Sequence, residues 1–269
     1  MLYAFAILAL PATVKLPPLQ GLGDAPVDFI TEGDITAVVD RTVVVTDLEK
    51  LSEADLLAVV LRHDQVISEL FTLLFGSEPA TANHSSLLPL RLGTAFGSEA
   101  ALRQVLRDAS APDLAANLAS NLAPSQLLKN QLWAVMGCGE LLLKITVTPP
   151  AVNPDETAPN LKGRAYLLAK KAQYEQTQQW QKQIETESAQ LVSQLEQIAH
   201  AAPLVLNPHP PENLRWCVLL QWDRLLPLQN LLGQWQADHP HWQITLGSFG
   251  AAYHSIARLA EAATTGNIH

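Results

Sequence analysis

Leu87-Leu88-Pro89-Leu90-Arg91-Leu92-Gly93-Thr94-Ala95-Phe96 is apolar and alternating, with a proline near its start, one arginine inside it and a glycine where it should bend. Such a stretch reads as an interior strand at the centre of a sheet. Arg91 would then be half of a buried or half-buried ion pair, in which loss of one partner costs about 3–5 kcal/mol. No nucleophile–base pair or metal-ligand cluster can be assembled around this strand or elsewhere in the chain.

Upstream, residues 2–9 are apolar but lack a basic leader, and they read as a first buried strand rather than a signal peptide. Gly21-Leu22-Gly23 lacks the third glycine of a dinucleotide loop and reads as a turn. Strands at 27–30 and 35–39 flank Glu32-Gly33-Asp34 as a hairpin, and residues 43–45 extend that sheet or lead onward. Ser52 with Asp55 caps a helix over about 52–75. His63-Asp64 within it reads as a surface or boundary pair, without the second histidine of a zinc helix. Residues 76–86 form a polar loop. After the central strand come helices from Ser98, over 113–121 and over 125–135. Residues 1–136 thus predict an α+β domain, with helices on one face of a small mixed sheet.

Downstream, Gly137-Cys138-Gly139 reads as a turn before a strand at 140–147, and residues 149–159 form a Pro-rich loop. From Lys162 to about His200 nothing breaks a helix after Gly163, predicting a rod on the order of 55–60 Å. Its two ends carry apolar faces (Ala165, Leu168 and Ala172; Leu191, Val192 and Leu195), and its glutamine-rich middle has only Trp180 and Ile184. This is either a domain helix held by a thin stripe or a partner surface through Trp180, Ile184, Leu191 and Ile198. Strands at 204–206 and 214–222, a helix at 225–237 and a strand at 242–246 complete the order βαββαβ. That order is ferredoxin-like. The expected domains are 1–136, 137–247 and a tail at 248–269.

The chain has 269 residues, 48% hydrophobic and 16% charged, with formal net charge −9. That balance argues against nucleic-acid or acidic-membrane partners, which need clustered Lys and Arg. No stretch reaches the roughly 20 apolar residues of a membrane span. Cys138 and Cys217 read as reduced packing residues. The spacing of His200, His209, His239 and His241 indicates no metal site.

Four stretches, in order, carry a resemblance: Met1-Leu2-Tyr3-Ala4-Phe5-Ala6-Ile7, His63-Asp64-Gln65-Val66, Leu87 to Thr94, and Gly163-Arg164-Ala165-Tyr166-Leu167. They resemble the gas vesicle protein F/L family. That resemblance implies two α+β domains, the second a modified ferredoxin-like fold. It implies no enzymatic activity, no cofactor and no small-molecule substrate. The role it implies is that of an accessory or minor structural protein in gas vesicle assembly, located at the vesicle in the cytoplasm. The partners would be the major shell protein and other vesicle accessory proteins. Arg91, Gly93, Gly163, Arg164 and Tyr166 would be structural, with Arg164 and Tyr166 tying the domains together. The partner surface is expected on the long helix or tail, through Trp180, Ile184, Leu191, Phe249 and Tyr253. Around Phe249 and Tyr253 the chain keeps the family's aromatic spacing but lacks its prolines. A cytosolic ligand-binding or regulatory module using the ferredoxin-like sheet is the alternative.

Overall fold

Strand β1 (Leu2–Ala9) is buried along its whole length, and the first sheet is built around it. The structure is a computed structural model that describes residues 1–11, 13–23, 25–43, 50–76, 82–110, 124–150, 163–207, 213–256 and 258. The expectations at 43–45, 76–86, 113–121 and 149–159, the residue His209 and the tail beyond 258 lie wholly or partly outside these residues.

β1 pairs antiparallel with β3 (Ile35–Asp40), which pairs antiparallel with β2 (Asp28–Glu32) across the turn at Gly33. On its other side β1 pairs antiparallel with β4 (Ser86–Pro89) and β5 (Ala95–Phe96). The sheet order is β2-β3-β1-β4, with β5 also on β1. The opening stretch is therefore an edge, and the centre is β1. The pairings are antiparallel, not mixed.

Helices cover both faces of this sheet, not one. Tyr3, Phe5 and Leu8 pack with Val66, Ile67, Leu70 and Leu74 of α1 (Glu53–Phe75). Leu2, Ala4 and Ile7 pack with Leu102 and Leu106 of α2 (Glu99–Ser110) and Leu132 of α3 (Pro124–Ala134). A register shift between Ala4 and Ala6 puts Phe5 and Ala6 in the same cluster. A strand buried on both faces reads as a continuous apolar run, which is what residues 2–9 are. Ser52 caps α1 as expected, accepting from the Asp55 amide at 3.2 Å.

The second sheet has the order β7-β8-β6-β9, from β6 (Cys138–Val147), β7 (Leu204–Asn207), β8 (Asn213–Gln221) and β9 (Trp242–Gly250). The crossover through α4 (Arg164–Glu196) leaves β8 between β6 and β7. The one through α5 (Leu225–Asp238) leaves β6 between β8 and β9. Two split βαβ units interleaved in this way make the ferredoxin-like arrangement. The fold is α+β.

Cys138 and Gly139 are strand, not turn. Gly139 lacks a side chain for a steric reason: a Cβ there would lie 2.5 Å from Phe249 Cζ and 2.6 Å from Phe71 Cζ. Cys138 and Cys217 are free and buried, and burial pushes the Cys138 thiol up to about 12. The chain divides into two compact units, one of Met1–Leu141, Leu219–Asp223 and Ser248–His269, the other of Leu142–Val218 and Arg224–Gly247. Among the described residues, no helix is long and apolar enough to cross a membrane.

Candidate functional site

His63, on the buried face of α1, joins three of the four sequence stretches singled out above. Its Nε2 lies 3.1 Å from the Leu90 carbonyl and its Nδ1 2.6 Å from the Tyr3 hydroxyl. A carbonyl only accepts, so Nε2 carries the proton, and Nδ1 accepts from the phenol. The imidazole also stacks on Phe5, with centroids 5.5 Å apart. Burial holds the His63 pKa below its ordinary value, with the Leu90 carbonyl and Asp64 opposing that shift. Burial pushes Tyr3 up to about 12, offset in part by a hydrogen bond from the Gly93 backbone. His63 is thus an interior histidine rather than a surface one. What links it to Tyr3 and Leu90 is contact across 60 and 27 residues, which local periodicity does not carry.

The same node explains Gly93 and corrects Arg91. After Pro89 the Leu90 amide still donates to the Phe5 carbonyl at 2.9 Å, and the chain then turns before rejoining β1. Thr94 closes that turn, its amide and hydroxyl donating to the Arg91 carbonyl at 3.0 and 2.6 Å. Gly93 sits in the left-handed region at φ +84° with open space around a would-be Cβ. The turn carries Arg91 into solvent, where it pairs with no acidic group among the described residues. The expected buried ion pair does not form, because the stretch is a looped edge and not a continuous interior strand. Since no clash is involved, Gly93→Ala should lose only the left-handed backbone cost, about 1–2 kcal/mol. Gly93→Asn should lose less, and a urea melt separates the two.

Among the described residues, the long helix is packed in its C-terminal half. Ile184, Leu191 and Leu195 are buried, so Ile184 and Leu191 are packing residues and not a docking face. Glu187 fixes this half. Its Oε2 accepts from Trp242 Nε1 at 2.7 Å and pairs with His241 Nε2 at 2.7 Å, and Trp180 lies against the His241 ring. The N-terminal half is different. Arg164, Ala165, Tyr166, Leu168 and Ala172 are exposed, against the expectation that both ends pack. Arg164 and Tyr166 stand in solvent, so their side chains show no tying contact among the described residues. Gly163 caps the helix at φ 64°, ψ −130°, a conformation open to glycine and strained for other residues.

Phe249 is also a packing residue. Its ring meets Phe71 edge-on at 5.3 Å and lies 6.0 Å from Trp222. Tyr253 is part exposed, and its hydroxyl reaches Asp64 Oδ1 at 3.4 Å. The buried Glu140 carboxylate holds the segment that follows. Oε2 accepts from the amides of His254 and Ser255 at 2.9 Å each, and Oε1 meets His254 Nδ1 at 2.5 Å. An apolar stripe looks the same whether it covers a neighbour or awaits a partner, and at Ile184 and Leu191 it covers neighbours.

The fold is that of solved gas vesicle proteins. The crystal structure of GvpF from Anabaena sp. PCC7120 is similar at TM-score 0.57, with 16% identity over 95% of each chain. That of GvpF from Microcystis aeruginosa is similar at TM-score 0.59, with 15% identity over 95% of this chain and 98% of the other. The family model for gas vesicle synthesis protein GvpL/GvpF matches residues 1–254, and the chain belongs to that family. Comparison with curated proteins gave no match. The role of this chain lies in gas vesicle assembly.

Proposed function

We propose that the chain is a non-catalytic accessory or minor structural protein that binds the major shell protein and other accessory proteins while the vesicle is built in the cytoplasm. The observation that carries this reading is the family match over residues 1–254. The node of Tyr3, His63, Leu90 and Gly93 is consistent with it: these residues of the resemblance are engaged in holding one another. A cavity of about 110 Å³ is lined by Ala9, Asp34, Ile35, Lys129 and Trp133. These belong to the first sheet and its helices, so the cavity lends no support to a ligand site on the ferredoxin-like sheet.

The test is co-expression of the tagged chain with the shell protein, together with deletion of its gene. Retention of shell protein on the tagged chain and loss of vesicles on deletion are expected. No retention and normal vesicle number would sink the reading.

A further inference from the structure

Two helix ends in this chain are apolar, exposed and opposite in charge. The first three turns of α1, Glu53 to Leu61, leave Leu57 and Leu61 57% and 62% exposed, with Leu56 and Val60 beside them. Glu53, Leu57 and Leu61 lie in one i,i+4 row, and exposed Asp64 follows three residues on. This face has no cation between 53 and 61, and the next one, Arg62, turns away to the Gln20 and Gly21 carbonyls and Glu69.

The first three turns of α4 leave Leu167 and Leu168 67% and 58% exposed, with Tyr166 and Tyr174 alongside. Here Arg164, Lys170 and Lys171 are interleaved, and the first acidic residue is Glu175, which pairs with Lys171 at 3.7 Å on the exposed helix surface. At 1.5 Å per residue the two ends are about 13 and 16 Å long, so they match in length as well as in charge.

We propose that the head of α4 in one copy docks on the head of α1 in a second copy of this chain. Leucines would meet leucines along an antiparallel contact, with Arg164 facing Asp64 and Lys170 facing Glu53. Like surfaces repel here: α4 heads would bring cations together, and α1 heads carboxylates. The contact joins unlike surfaces: two copies close by making it twice about a twofold axis, and where the second pair cannot meet, each copy keeps one of each surface free and association continues. Two short helices make a small interface, below about 1,200 Å², which favours weak, reversible assembly. The proposal goes beyond the reading above and does not depend on which vesicle proteins the chain binds.

Sedimentation of the full chain over a concentration series tests it. The average mass should rise with concentration and fall as salt rises from 50 to about 500 mM, where the screening length drops well below 10 Å. Leu57→Asn with Leu61→Asn, and separately Leu167→Asn with Leu168→Asn, should each weaken self-association about tenfold or more. Because all four side chains are exposed, both variants should melt like the parent. Each alone should be monomeric, and their equimolar mixture should form dimers and nothing larger. Lys170→Glu with Lys171→Glu gives a second variant set and should weaken association most at low salt. A chain that stays monomeric at every concentration overturns the proposal, as does a mixture that does not pair. It also fails if the α1 variant loses shell-protein retention while the mass distribution is unchanged, because that face then belongs to the shell protein.

Discussion

Replacing His63 by alanine should lower the unfolding free energy by about 4 kcal/mol, since it combines a core cavity with two buried polar groups left unpaired. For a chain of this size that is a fall in Tm of roughly 10 °C. The loss has three sources on the page: the Phe5 stack, the Tyr3 hydroxyl and the Leu90 carbonyl. Tyr3→Phe should cost about 1 kcal/mol, and the double variant less than the sum of the two, because both act on one bond. Strict additivity in a double-mutant cycle would show that the node is not coupled.

The same histidine gives stability a pH dependence. Its folded pKa lies below the unfolded value of 6.5, so the folded state holds fewer protons between the two values. The contribution is full above the unfolded pKa. It falls as pH drops through 6.5 toward the lower folded value, and levels off below it. His63→Gln should flatten that part of a stability–pH curve. An unchanged slope would place its origin elsewhere.

Gly139→Val should cost at least about 3 kcal/mol, the upper range for overpacking a filled core. Even alanine puts a Cβ 2.5–2.8 Å from atoms of Phe249 and Phe71. Neither ring is a free surface group, because each is packed against another aromatic, Phe71 on Phe75 and Phe249 on Trp222. The displaced element should be the end of β9, seen as faster amide exchange at 248–256 and a change in Trp222 fluorescence. Phe249→Leu should recover part of the loss in a Gly139→Ala background. A neutral Gly139→Ala would mean that the rings have room to move.

These two sites mark where reading the sequence stops. β1, the hairpin, the Ser52 cap and the βαββαβ order are legible because each rests on local periodicity or on order along the chain. Gly137-Cys138-Gly139 reads as a turn because glycines punctuate, yet Gly139 is there to admit two rings from distant elements. Arg91 reads as buried because its neighbours are apolar. Only the turn closed by Thr94 shows that it leaves the sheet. His63 was visible as part of a motif, but its Tyr3 and Leu90 partners were not. On α4, exposure reverses the apolar pattern's apparent meaning: Ile184 and Leu191 are covered, and Leu167 and Leu168 are bare.

The unit that opens the chain is also discontinuous, taking residues 219–223 and 248 onward as well as 1–141. Synthesis is directional, so Phe71 and Glu140 leave the ribosome long before Phe249, His254 and Ser255. At about 5–20 residues per second the gap is roughly 5–35 s. During that interval the site on Glu140 for the two amides is vacant and the Phe71 ring lacks its edge-on neighbour. The second unit, spanning 142–247, has by then been made in full. Nascent chains therefore pass through a stage in which the later-encoded unit is complete and the earlier-encoded one is not, and a stalled or truncated product would be arrested there.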